Sequence, residues 1–208
     1  MSSSSRSSYN NNSGGSSSSS SSGYGGSSGQ PAEAGLVADA LALGGCATVF
    51  SKHPVGNTAV PQPAKSVDLQ RYLGRWYEIA RYEQGFQKDC DGVTADYALR
   101  EDGMISVLNS CRKPDGKVSV ANGKAKVVDP VTNAKLKVSF FGPFYGDYWV
   151  LDRADDYSWF ISADPTFDKL WIYTREAPDA ATLAMLVQRA RDLGYDTGRL
   201  EFPAQPPR

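Results

Sequence analysis

Glu78, Cys90, Cys111 and Cys46 are the residues of this chain with the widest chemical scope. Glu78 sits inside an apolar stretch, Arg75-Trp76-Tyr77-Glu78-Ile79-Ala80-Arg81-Tyr82. Cys90 and Cys111 flank what reads as a hairpin, and Cys46 ends a run of small and apolar residues. A thiolate can attack an electrophile, and a carboxyl group in apolar surroundings can act as an acid, but each needs an activating neighbour. The only histidine, His53, lies upstream in a polar lead. No imidazole is therefore at hand for general-base work or a His-based metal site in the folded part. An enzyme would rest on Cys111 or Glu78 alone. We expect no catalytic set, no metal site and no cofactor. A formal net charge of -1 gives no basic excess to hold nucleic acid or to attract the chain to an anionic membrane surface.

The elements that would position these residues begin only after a long lead. Residues 1–66 read as a Ser/Gly-rich, flexible lead followed by a Pro-containing spacer with Pro54, Pro61 and Pro63. Within the lead, Leu43-Gly44-Gly45-Cys46 follows an apolar run of signal-peptide length and resembles a bacterial lipobox, which would make Cys46 a lipidation site. Asp39 inside the run, and Arg6 as the only basic residue upstream, fit a plain linker instead. Residues 67–208 read as one domain, long enough to bury a core.

That domain is rich in aromatic and β-branched residues, and all four tryptophans fall inside it. Short strands are predicted over 75–82, 92–100, 104–111, 117–128, 135–140, 148–152, 157–162 and 170–175. Turn signals separate them, among them Glu101-Asp102-Gly103 and Lys113-Pro114-Asp115-Gly116. Gly123 reads as a bulge or bend, and Phe141 to Gly146 as an aromatic loop. Leu136, Val138 and Phe140 share one face of their strand, with Lys135, Lys137 and Ser139 on the other. If Trp76 points inward, alternation carries Glu78 and Ala80 inward too unless a bulge intervenes. One helix follows, with Asp179 as its N-cap, Leu183, Leu186, Val187, Ala190 and Leu193 as its apolar stripe, and Gly194 as its stop. A last short strand over 199–202 could follow it. The pattern predicts an all-β fold: an eight-stranded antiparallel up-and-down β-barrel with one C-terminal α-helix packed outside, or failing that a two-sheet sandwich.

Cys90 and Cys111 could form a disulfide, closing a loop of about 20 residues for on the order of 3 kcal/mol. A two-residue turn at Asp102-Gly103 would instead set Cys111 opposite residue 94, so bonding requires a bulge or a non-strand conformation at Cys90. Two free thiols, or a reactive Cys111, remain as alternatives.

Four segments in order are similar to one family. Tyr72-Leu73-Gly74-Arg75-Trp76-Tyr77-Glu78-Ile79-Ala80-Arg81 resembles the first signature of the lipocalins, nearest to their bacterial outer-membrane lipoproteins and the apolipoprotein D group. Val93 to Leu99 resembles the second strand, Leu136 to Gly146 a hallmark of the bacterial group, and Leu170 to Arg175 the last barrel strand. The segment Tyr148 to Asp152 departs from the family by looking about two residues short, which leaves the facing of Tyr148 and Trp149 open. The resemblance implies that Gly74, Trp76 and Arg175 are structural, with Arg175 lying across Trp76 at the closed end. It also implies a small hydrophobic ligand, a fatty acid or lysophospholipid, in the barrel cavity. We expect Glu78, Tyr97, Leu136, Val138, Phe140 and Trp171 to line it; Tyr97 and Trp171 match positions that line the pocket in the family, and ordinary packing of the barrel core is the alternative for each. The expected setting is the outer membrane, reached through a lipid anchor on Cys46, or else a periplasmic or secreted soluble form. A homodimer is left open.

Overall fold

The computed structural model describes residues 59–205; Cys46 and most of the lead lie outside the described residues. Eight strands follow one another: β1 (Gly74–Arg81), β2 (Asp91–Leu99), β3 (Ile105–Arg112), β4 (Val118–Val127), β5 (Lys135–Phe141), β6 (Phe144–Arg153), β7 (Trp159–Ala163) and β8 (Leu170–Thr174). Each pairs antiparallel with the next, and β8 returns to β1, so the sheet closes into the up-and-down barrel and the sandwich is excluded. Closure leaves no free sheet edge overall and splits every strand into an inner and an outer face.

Two apolar cores result. Inside the barrel, Tyr72, Trp76, Phe160, Tyr97 and Tyr173 form a stack of rings, with Phe160 edge-on to Trp76 at 4.6 Å between centroids. Outside, Leu151, Ile161, Leu170 and Ile172 pack under α2 (Ala180–Asp192) through its buried Leu186 and Ala190. Asp179 caps α2 by accepting from the Thr182 N–H at 2.7 Å, and Gly194 ends it at φ 95°. A second, short helix, α1 (Leu69–Tyr72), was not expected; Asp68 caps it, and it lies across the sealed end of the barrel. Chain contacts begin before it, since Pro61 is buried and the Ala64 N–H donates to Leu151 O at 2.7 Å.

Several strand details differ from the expectations. A bulge between Glu78 and Ala80 resets β1 against β8. Glu78 faces inward, Ile79 and Ala80 both join the outer core, and Arg81 turns in beside Glu78. The proviso of an intervening bulge applies, and Ala80 faces outward because one extra residue reverses the alternation. β6 starts at Phe144 rather than Tyr148: the Gly142-Pro143 turn, with Gly142 at φ 56°, brings Phe141 opposite Phe144, so the aromatic loop is a tight hairpin. Tyr148 faces in and Trp149 faces out, where the Lys135 ammonium lies 4.3 Å from its ring centroid. Ser139 is buried, not wet, and donates to Gly142 O in that hairpin. Gly123 makes no bulge. It stands in register opposite Val107, and a Cβ there would come within 2.7 Å of the Phe140 ring. The glycine is a seat for Phe140. The predicted strand over 199–202 is reduced to a 3₁₀ turn, Thr197–Arg199, and one bridge from Glu201 to Arg81.

β1 and β2 are paired only from Gly74 to Tyr77, against Tyr97 to Thr94. Beyond that they part, and the C-terminal tail fills the gap. The Gly92 N–H donates to Ala204 O, the Ala204 N–H to Asp91 Oδ1, and Gln205 Nε2 to the carbonyls of both Glu78 (2.6 Å) and Val93 (3.2 Å).

Candidate ligand-binding site

The sealed end sets the orientation of the site. Trp76 is fully buried, and its Nε1 donates to Tyr72 O at 2.8 Å. The Arg175 guanidinium lies 3.6 Å from the Trp76 ring centroid and donates to the carbonyls of Arg75 (2.7 Å), Arg71 (2.8 Å) and Leu73 (2.8 Å). It thus staples β8 to the entry of β1 while covering the indole face. Partial burial lowers the Arg175 pKa, a shift that leaves a guanidinium charged at any physiological pH. Gly74 fits this end for two reasons: its φ is 91°, and a Cβ would press on Arg175 Nη1 at 3.3 Å.

At the other end the barrel is open and hollow. Two cavity lobes, about 150 and 390 Å³, meet at Phe86, Gln87, Asn109, Val138 and Phe140, which line both. The inner lobe ends on Tyr97, Tyr148, Trp171 and Tyr173. The outer lobe is walled by Val93, Ala121 and the Cys90–Cys111 pair, and its rim carries Phe86, Phe141 and Phe144, which are 66, 79 and 79% exposed. Alternation on the strands explains the lining, since Val107, Asn109 and Cys111 on β3 are every second residue.

Cys90 and Cys111 are disulfide-bonded, with Cα atoms 5.3 Å apart. Both conditions set by the register hold. Cys90 precedes β2, and a shift between Asp91 and Thr94 brings it level with Cys111. A cysteine so bonded offers no thiolate, so Cys111 as a nucleophile is corrected. Glu78, the other acid considered for chemistry, is held by its neighbours. It accepts from Arg81 Nη1 at 3.1 Å, Gln87 Nε2 at 3.0 Å and Tyr173 Oη at 3.1 Å. Burial raises its pKa, and Arg81 pulls the other way. The same Gln87 accepts from Trp171 Nε1 at 3.1 Å, so the 3₁₀ turn Gly85–Gln87 is pinned across the barrel wall. Arg81 reinforces it by donating to Gln87 O and Cys90 O.

Of the six residues expected to line the cavity, Tyr97, Val138, Phe140 and Trp171 come together around the two lobes. Leu136 lies deeper, in the inner core, and Glu78 sits behind Gln87 rather than on the cavity surface. Sequence reasoning missed Gln87, Asn109 and Tyr148. For Asn109 the signal was present in the alternation of β3. For Gln87 there was none, because a 3₁₀ turn carries no periodic mark. Burial pushes the Tyr97 and Tyr173 phenols well above the ordinary tyrosine range, and Tyr97 and Tyr148 share a 3.0 Å hydroxyl contact. These phenols are neutral hydrogen-bonding groups at any working pH. Among the described residues no group of side chains could hold a metal ion.

Comparisons with known proteins agree with this geometry. Residues 67–205 match the lipocalin-like domain family. The chain is 37% identical over 174 residues to the outer membrane lipoprotein Blc of Vibrio cholerae serotype O1, covering 82% of this chain and 96% of that protein. It is also 37% identical over 142 residues to apolipoprotein D of Cavia porcellus, covering 67% of this chain and 69% of that protein. Among solved structures, insecticyanin from the tobacco hornworm Manduca sexta superposes with a TM-score of 0.55 at 19% identity, covering 74% of this chain and 87% of that one, a likeness of fold.

Proposed function

Because the chain belongs to the lipocalin family, whose barrels in general bind small hydrophobic molecules, we propose that it takes a single-chain lipid, a fatty acid or a lysophospholipid, into its barrel. The observation that carries this reading is the two-lobed hollow, sealed by Trp76 and Arg175 at one end and open between phenylalanines at the other. The larger lobe lies in the roughly 300–1,000 Å³ range of small-molecule sites. An acyl chain entering it would gain about 0.8 kcal/mol per buried methylene. Tyr97, Val138, Phe140 and Trp171 form the wall it meets, and Leu136 backs the floor. A charged head group stays at the mouth. Among the described lining residues Lys169 is the single cation, and it lies 3.6 Å from Asp164.

In this reading the residues ahead of Pro61 are a tether, Cys46 carries the lipid anchor, and the barrel works at the outer membrane in lipid transport, storage or membrane maintenance. The lipobox-like Leu43-Gly44-Gly45-Cys46 and the outer-membrane lipoproteins among its relatives support this setting. Displacement of a fluorescent fatty acid tests the cavity. Palmitate and a lysophospholipid should compete for it, and a Tyr97→Ala variant that binds the probe as tightly as the parent would remove Tyr97 from the site. Incorporation of labelled palmitate, abolished in Cys46→Ser, tests the anchor. Native mass spectrometry of protein drawn from cells should show a co-purified lipid and so name its class.

A further inference from the structure

The cavity wall holds one polar group that the fold leaves without a partner. Asn109 Oδ1 is buried and accepts no hydrogen bond, and it is the one such side-chain atom among the described residues that line the cavity. The other polar groups of the inner wall are paired with one another. Tyr97 is bonded to Tyr148, Tyr173 to Glu78, and Trp171 to Gln87. Asn109 is isolated by its register, because its cross-strand neighbours are Ala95 on β2 and Ala121 on β4. Along its own strand Val107 and Cys111 are the next inward residues. Four small or apolar side chains of this kind would make valine or leucine the fitting residue here. An unpaired buried acceptor is a cost that folding alone does not recover.

The position of Asn109 says what would recover it. It lines both lobes, so a chain that runs from the outer lobe to the inner one passes beside it. Rotating the amide by half a turn would exchange an unpaired acceptor for an unpaired donor. A hydroxyl group satisfies either arrangement, since it both donates and accepts. A carboxylate satisfies only one, and Lys169, the single cation among the described lining residues, already lies 3.6 Å from Asp164.

We propose that Asn109 is a polar subsite for a hydroxyl group carried by the bound lipid, and that it makes the cavity selective for hydroxylated lipids over their plain counterparts. This deepens the lipid-binding reading and rests on it. The hydroxyl could belong to a glycerol backbone near the head group or stand along the acyl chain, and matched pairs of ligands distinguish the two.

The test is competition against a fluorescent fatty acid on the purified protein. One arm compares 1-monopalmitoylglycerol with methyl palmitate; the other compares 12-hydroxystearic acid with stearic acid. The hydroxylated member of at least one pair should bind about three- to tenfold tighter, the range of one neutral hydrogen bond. The arm that shows the preference tells where the hydroxyl sits. In Asn109→Leu the ratio should fall to about one, with the plain lipids bound as well as before or better. Asn109→Thr, which keeps a hydrogen-bonding group on a strand-favouring side chain, should retain the preference and guards against a loss caused by misfolding. Equal affinities within both pairs, or a preference that survives in Asn109→Leu, would overturn the subsite while leaving lipid binding intact. If no lipid displaces the probe, the subsite and the binding reading fall together.

Discussion

Arg81→Met should turn a silent ion pair into a pH-dependent defect. In the parent, Arg81 and Glu78 are 3 and 0% exposed and 3.1 Å apart. Methionine fills similar space without charge, so Glu78 loses its only buried counter-charge and keeps Gln87 and Tyr173 as hydrogen-bond donors. Removing one partner of a buried pair costs about 3–5 kcal/mol, because the other charge is left uncompensated. Glu78 can escape part of that cost by taking a proton. Burial already raises its pKa, and Arg81 is the largest influence opposing the rise, so the variant's pKa moves higher still. A carboxyl whose folded pKa lies above its unfolded value, about 4.3, contributes most stability below that value. That stability is lost as pH rises towards the folded pKa, at up to about 1.4 kcal/mol per pH unit. Urea unfolding followed by tryptophan fluorescence at several pH values between 4.5 and 7.5 reads the effect. The control is the double variant Glu78→Gln/Arg81→Met, which lacks the proton site; subtracting its profile removes every other titrating group. The difference curve should fall with rising pH, so that the stability deficit is largest at pH 7.5. A flat difference curve, or an Arg81→Met variant within about 0.5 kcal/mol of the parent at pH 7.5, would refute the reasoning.

Other perturbations probe the remaining supports. Arg175→Ala should cost about 2–3 kcal/mol in guanidinium unfolding, since it uncovers Trp76 and leaves three carbonyls without their donor. Arg175→Lys should recover little of that, because an ammonium cannot both stack and fork. Gly123→Ala should cost about 1–3 kcal/mol by driving a methyl into the Phe140 ring, and the cost should shrink in Gly123→Ala/Phe140→Leu. Reducing the Cys90–Cys111 bond should lower unfolding stability by about 3 kcal/mol, measured as the urea midpoint with and without reductant.

How far the sequence reveals this molecule depends on which residues carry the information. The barrel was legible because its strands announce themselves locally. Leu136, Val138 and Phe140 alternate with lysines on β5, and Asp102-Gly103 marks a turn whose glycine does adopt φ 77°. Trp76 and Arg175 became a pair only through a family resemblance, since nothing local links two residues 99 positions apart. The bulge after Glu78 left no trace. It depends on how β1 meets β8, a pairing between distant segments, and it alone decides that Arg81 points inward. The expected role of Glu78 on the cavity surface failed for the same reason, because an inward Arg81 supplies the partner that a wet cavity would otherwise provide. Gly123 was read as a bend when its reason lay in a neighbouring strand, in the ring of Phe140. Local chemistry fixes turns and faces; what sits behind a side chain is set by register, and register is non-local.

The C-terminal tail gives the fold an order of completion. Glu201 bridges to Arg81, and Gln205 binds the carbonyls of Glu78 and Val93, so the last described residues finish a wall begun by the first strand. During synthesis from the N-terminus, β1 emerges early and waits for β8 to pair and for the tail to seal it. Its unpaired backbone and apolar neighbours stay exposed from the completion of β1 at Arg81 until β8 begins at Leu170. The barrel is thus a vessel whose final stave is cut last, and a chain shortened by a handful of residues at its end would be assembled with an open seam.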